Sequence, residues 1–231
     1  MQGPSLTRAA PLLWLVLSIF AGDLEAQQIP SPFRFVEESQ EAGPFVGHLD
    51  ADAGRFDLGP EPGIAFGARY GLEISGPFGL EGGAIYFPTT RDVVNLRLGE
   101  GSRTVDQVDM ALLLVDARLR FSLTGRRTWH GLAPYVVAGG GLGFDLAGDQ
   151  EGDGKLQEVD RFDFGTSFLG ILGGGLRAAL GSRWVARGDL QLTLWQLDTP
   201  EGFLDENLGF EVPTNEWVSN GLFTLGLSYR F

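Results

Sequence analysis

The chain closes on Trp217-Val-Ser-Asn-Gly-Leu-Phe-Thr-Leu-Gly-Leu-Ser-Tyr-Arg-Phe231. Trp217, Phe223, Leu225, Leu227, Tyr229 and Phe231 fall on one parity, and Asn220, Thr224, Gly226, Ser228 and Arg230 on the other. A period of two is that of a β-strand, whose successive side chains leave opposite faces. Residues 111–123 repeat the pattern: Ala111, Leu113, Val115, Ala117, Leu119, Phe121 and Leu123 alternate with Asp116, Arg118, Arg120 and Ser122. Residues 64–74 set Ile64, Phe66, Ala68, Tyr70, Leu72 and Ile74 against Gly67, Arg69, Gly71 and Glu73. The period does not say which face is inside.

Outward from these segments, the same reading predicts eight strands, at 43–50, 62–75, 77–88, 108–123, 132–146, 162–180, 183–197 and 217–231. Tight-turn chemistry joins two pairs, at Ser75-Gly76-Pro77 and Gly181-Ser182, and a modest link 124–131 joins a third. The other connections, 51–61, 89–107, 147–161 and 198–216, are long. Strict alternation gathers every long loop at one end, as in a transmembrane barrel with short periplasmic turns and longer outer loops. The expected fold is therefore all-β, an eight-stranded antiparallel up-and-down barrel.

Composition agrees with strands and turns: 35 glycines and 17 phenylalanines in 231 residues. The chain has no cysteine, which excludes disulfides, thiolate metal sites, a cysteine nucleophile and a lipidated N-terminal cysteine. A formal charge of −13 is the opposite of a nucleic-acid footprint. Arg8 followed by an apolar run from Pro11 to Ala21 describes a secretory signal, too short for a membrane-spanning helix. The organisation expected is a signal peptide 1–26 cleaved after Ala26, a periplasmic lead 27–42, and a barrel over 43–231. Export, and a charged face dotted with glycine that suits a narrow lumen, turn the apolar face outward to lipid.

These strands, and the final one above all, resemble the small eight-stranded outer-membrane barrels of Gram-negative bacteria, the OmpA-like transmembrane and OmpX-like barrels. The resemblance covers roughly 43–231. It implies that Thr224, Gly226, Tyr229 and Phe231 form the C-terminal signal read by the barrel-assembly machinery, with periplasmic chaperones as further partners during biogenesis. No peptidoglycan-binding domain follows the barrel in this sequence, so anchoring through one is not implied.

The inward set expected is Arg69, Glu73, Glu81, Asp116, Arg118, Arg120, Arg177, Arg187 and Asp189, a nearly neutral network, because buried charges persist when paired. Arg177 and Arg187 face each other only if their hairpin loop is odd, and would then need Asp189 or another acid. Trp184, Phe121, Tyr229 and Phe231 are expected at the short-turn interface, and Trp195, Trp217, Phe144 and Tyr86 at the long-loop one. The long loops are acidic: Asp50, Asp52, Asp57 and Glu61 in one, and Asp198, Glu201, Asp205, Glu206, Glu211 and Glu216 in another. Asp149, Glu151, Asp153 and Asp160, around Gly154, approximate a calcium loop and are candidate ligands for calcium, the single cofactor considered; an acidic loop without metal is the competing reading. His48 and His130 are the available neutral-pH bases. The function expected is a monomeric outer-membrane barrel in contact with the membrane's lipids, with a plugged lumen and a structural or surface-interaction role. It is expected to be neither an enzyme nor a nucleic-acid binder. A narrow channel for ions or small solutes is the first alternative, and a lipid-modifying enzyme using His48 the second.

Overall fold

A computed structural model describes residues 31–35, 39–99, 101–204 and 212–231. The signal segment 1–26 and most of the lead lie outside the described residues, as do Asp205, Glu206 and Glu211. Among the described residues there are ten strands: β1 Phe33–Phe35, β2 Gln40–Asp50, β3 Gly63–Ser75, β4 Phe78–Val94, β5 Thr104–Ser122, β6 Arg127–Trp129, β7 Leu132–Asp145, β8 Thr166–Ala179, β9 Trp184–Asp198 and β10 Asn215–Arg230. Eight of them close into a cylinder in the order β2-β3-β4-β5-β7-β8-β9-β10, with β10 returning to pair with β2. Every pairing is antiparallel, and the order is up-and-down. Closure removes the unpaired sheet edges that a bilayer does not tolerate. The two short strands stand apart: β1 pairs with β6 at the short-turn end, Phe33 opposite Trp129.

Alternation decides the faces. On β9, Val185, Arg187, Asp189, Gln191, Thr193, Trp195 and Leu197 are buried, while Leu190, Leu192 and Leu194 between them stay exposed. Inward glycines let the walls accept long side chains. A Cβ on Gly139 would lie 2.2 Å from the Ala117 carbonyl oxygen, and one on Gly141 only 2.1 Å from that of Val115. Both glycines sit beside inward residues of β5, pairing with Arg118 and Asp116. At the turns, Gly76 and Gly181 take positive φ, which costs glycine little.

Several boundaries differ from the sequence reading; the strand expected from 162 starts at Thr166, so Phe162 and Phe164 belong to the connection before β8. β2 starts at Gln40, so Glu41 and Ala42, placed in the lead, belong to the wall. The connection expected over 89–107 is largely a hairpin, since β4 runs to Val94 and β5 starts at Thr104. Thr89-Thr90-Arg91-Asp92 has no apolar alternation because this stretch rises beyond the part of the wall that meets lipid. The connection after β7 holds two short 3-10 helices, Glu151–Lys155 and Glu158–Asp160, and the one after β9 holds a third, Glu201–Phe203.

Candidate functional site: a lumen stopped at two levels

The lumen is charged in its short-turn half. Glu81, 1% exposed, is the hub. It accepts from Arg120 Nη1 at 2.7 Å and from Arg187 Nη1 and Nη2 at 2.7 and 2.8 Å, and Arg69 Nε lies 4.0 Å away. Asp189 forms the second hub. It accepts from Arg69 Nη1 at 2.9 Å, Thr224 Oγ1 at 3.1 Å, Arg187 and the Tyr135 hydroxyl. Arg118 pairs with Asp116 at 2.8 Å and donates to Gln191 Oε1 at 2.9 Å.

Arg177 and Arg187 are directly opposed across β8 and β9, and opposite acids draw them apart. Arg187 turns to Glu81 and Asp189, while Arg177 turns to Glu73 at 3.1 Å and Glu41 at 3.7 Å. Glu73 also receives Arg120. Tyr135 lies beneath the Arg187 guanidinium at 4.6 Å, and Phe45 beneath Arg69 at 4.7 Å. Seven of the nine residues expected inward thus stand in one connected network, and Asp116 and Arg118, with Gln191, form a separate buried group beside it.

Sequence reading left four members out. Glu41, which also pairs with Arg230 at 3.6 Å, was hidden by the boundary drawn at 42. Arg230 lies on the expected polar face but at the chain's end. Tyr135 and Gln191 carry no charge to mark them. With Glu41 and Arg230 the lumen holds six buried or nearly buried arginines and five carboxylates, and each has an ion-pair partner.

The long-loop half is apolar. Leu49, Phe87, Leu112, Leu114, Trp195 and Leu222 are at most 2% exposed and point inward at this level. The mouth is stoppered by the connections themselves: Phe162 and Phe164 after β7, Phe203 after β9, Leu58 after β2 and Leu96 at the β4–β5 turn join the same cluster. Trp195, expected at the interface, is inside, its ring 6.0 Å from Phe164. Trp217, Tyr86, Trp184, Phe121 and Phe231 are exposed. Phe144 is partly exposed, as is Tyr229, which packs against Trp184 at 5.2 Å.

Ion pairs hold the stopper. Asp153, 1% exposed, accepts from Arg91 Nη2 at 2.7 and 2.8 Å and from the Gln150 backbone N–H at 2.9 Å. Asp160 pairs with Arg97 at 2.9 Å, and Arg97 also donates to the Gly202 carbonyl at 2.6 Å. Lys155 meets Asp106 at 2.8 Å; this hydrogen bond, aided by the Gln107 backbone N–H, holds the Asp106 carboxyl below the ordinary aspartate range. Asp149 lies 3.7 Å from Arg161, and Glu151 faces solvent. The four calcium-ligand candidates therefore do not converge. Among the described residues no group of three or more acids or histidines is placed to hold a metal ion.

The four residues of the final-strand signal divide by face. Thr224 is fully buried, bonded to Asp189, and Gly226 packs over Phe45. Tyr229 and Phe231 lie outward and stack on each other at 6.5 Å. His48 is exposed on the outer wall, and His130 sits in the short-turn link, its ring edge-on to Trp129.

A closed eight-stranded wall, apolar outside and plugged inside, is what the sequence comparison matches: residues 20–231 fit the model of the outer membrane protein beta-barrel domain. The chain belongs to that family. Solved structures of the same fold include the N-terminal β-barrel domain of Pseudomonas aeruginosa OprF, at 15% identity and TM-score 0.48, covering 84% of this chain and 98% of that one. Neisserial surface protein A follows at 14% and 0.49, covering 87% and 98%. Ail, the attachment invasion locus protein of Yersinia pestis, stands at 17% and 0.39, covering 86% and 100%. No curated protein matches the chain. Family membership places the protein among barrels of the bacterial outer membrane.

Proposed function

We propose that this barrel is a non-conducting, non-enzymatic scaffold of the outer membrane that braces the envelope and presents its acidic long-loop end as an interaction surface. One observation carries the reading: the lumen is stopped twice, by eleven paired charges below and by an apolar plug of wall and loop side chains above. Eight strands enclose an interior just wide enough for side chains, so either stopper alone leaves little room for a solute. A monomer suits it, because closure satisfies every strand within one chain. Among the described residues neither histidine ring bonds to an acid or hydroxyl, so no base–nucleophile pair supports turnover at these positions. The long-loop rim keeps Asp52, Asp57, Asp198 and Glu201 in solvent, available to a partner. Surrounding outer-membrane lipids are the wall's constant partner, and Tyr229 and Phe231 the surface offered to the assembly machinery.

Planar-bilayer recording tests the reading. The purified barrel gives no resolved conductance steps, whereas discrete openings in the unmodified protein would establish the channel alternative instead.

A further inference from the structure

An ionisable side chain on the lipid-facing wall is expensive and calls for a partner at its own depth. His48 and Asp50 occupy successive outward positions of β2, both exposed. Their neighbours on the wall are apolar: Val46 lies below on the same strand, Ile64 and Phe223 flank His48, and Gly221 stands beside Asp50. Neither side chain is hydrogen-bonded or ion-paired to a described residue. Depth follows from β10, where Phe223 lies six residues from Trp217 and six from Tyr229. At a rise of about 3.3 Å per residue and a tilt of about 40°, His48 is about 15 Å from either aromatic girdle along the membrane normal, and Asp50 about 10 Å below the upper one.

Headgroups, and the amides and hydroxyls at the top of the acyl chains, stay above that level, so no lipid answers these two groups. A second copy of the chain does, because rotation about the membrane normal leaves every residue at its own depth. The pair is also self-complementary. On a strand tilted about 40°, His48 and Asp50 are about 5 Å apart in depth and about 4 Å apart sideways. A twofold axis between two facing β2 strands reverses the sideways offset, so His48 of each copy stands directly beneath Asp50 of the other. Two reciprocal imidazole–carboxylate pairs result, the isologous contact of a twofold interface. Gly221 beside Asp50 keeps the approach open, since a Cβ there would stand 3.7 Å from that of Asp50.

We infer that two of these complete monomeric barrels associate reversibly in the membrane plane through β2, with His48 and Asp50 of one copy bonded to Asp50 and His48 of the other. Val46, Ile64 and Phe223 are covered at the edges of the contact. The single chain remains the folding unit, closed on itself, and the stopped lumen is unchanged. Association rests on the lipid-facing orientation of the wall and is independent of whether the lumen conducts.

The chain has no cysteine, so Ser182→Cys in the exposed β8–β9 turn takes a single donor or acceptor dye. Energy transfer between the two labelled populations, in phosphatidylcholine vesicles at decreasing protein-to-lipid ratio, reads association. The otherwise wild-type barrel should transfer above the level of random crowding. The double variant His48→Leu/Asp50→Leu, apolar and so suited to the wall, should need a ratio at least about tenfold higher for the same transfer, the size of one charged hydrogen bond. Mixing separates pairing between copies from pairing within one. His48→Leu and Asp50→Leu should each self-associate no better than the double variant. Donor-labelled His48→Leu with acceptor-labelled Asp50→Leu rebuilds one pair and should recover transfer, which keeps the test decisive if the double variant lacks the heat-dependent gel mobility of a folded barrel. Crowding-level transfer in the wild type, undiminished transfer in the double variant, or no recovery in the mixture would overturn the inference.

Discussion

Glu81 and Gly141 show what single residues contribute. Glu81 neutralises Arg120 and Arg187 with direct bonds and lies near Arg69, all four side chains being at most 5% exposed. Removing one member of such a cluster strands its partners as buried, uncompensated charges. Glu81→Leu should therefore cost about 3–5 kcal/mol, seen as a lowered urea midpoint for unfolding in vesicles. Glu73→Leu, at a site whose side chain is 15% exposed, should cost clearly less. Gly141 acts by absence. With the Val115 carbonyl oxygen 2.1 Å from where its Cβ would stand, Gly141→Ala forces β5 and β7 apart and should reduce the folded yield. An alanine at Gly82, where the nearest neighbour would be 3.8 Å away, should leave folding unchanged.

Among elements, the connection between β7 and β8 is the most informative. Its carboxylates at Asp153 and Asp160 match an approximate calcium spacing in sequence, yet arginines from the β4–β5 hairpin, Arg91 and Arg97, claim them first. Spacing along one loop carries no information about a cation supplied by another, which is why these pairs were illegible. Arg91→Ala should free the loop: trypsin would cut after Lys155 or Arg161 while the strands stay protected, a pattern read by gel and mass spectrometry. A loop still resistant in that variant would show that Phe162 and Phe164 hold it without the ion pair. The strands themselves were legible wherever one face meets lipid and the other charge, as on β3 and the lower part of β5. Alternation faded on the upper part of β5, where Met110, Leu112 and Leu114 face an apolar lumen and Ala111, Leu113 and Val115 face outward. With both faces apolar, the inner and outer sets there follow only from the parity carried up from Asp116, Arg118 and Arg120. Trp195 shares the odd positions of Arg187 and Asp189 on β9, which are expected inward, so its inward face was legible and only its place near a strand end suggested the girdle.

At the scale of the whole molecule, the cylinder separates three environments: hydrocarbon outside, paired charge in one half of the lumen, and packed apolar side chains under the loops in the other. Closure could be read from periodicity and loop lengths, and the direction of the faces from the export signal and the glycine-dotted charged face. Strand directions put most inward charges in the half nearer the short turns, but the apolar plug above them could not be read, because it arises from side chains of several strands and connections meeting at one level. The division predicts that the loops contribute to stability as well as to the surface. Shortening 147–163 to a tight turn would uncover Trp195 and its neighbours to water and should lower the thermal transition in detergent while leaving the eight strands paired. An unchanged transition would mean that the lower charged half alone sustains the fold.

Spin labels placed singly at each position from Leu190 to Trp195, in the barrel reconstituted into phospholipid vesicles, test the account most directly. Labels at 190, 192 and 194 should collide freely with lipid-dissolved oxygen, and those at 191, 193 and 195 weakly with both oxygen and a water-soluble nickel chelate. Strong collision of the odd positions with the chelate would reveal a water-filled lumen, and oxygen access shifted to the odd positions would turn the wall inside out; either result contradicts the account.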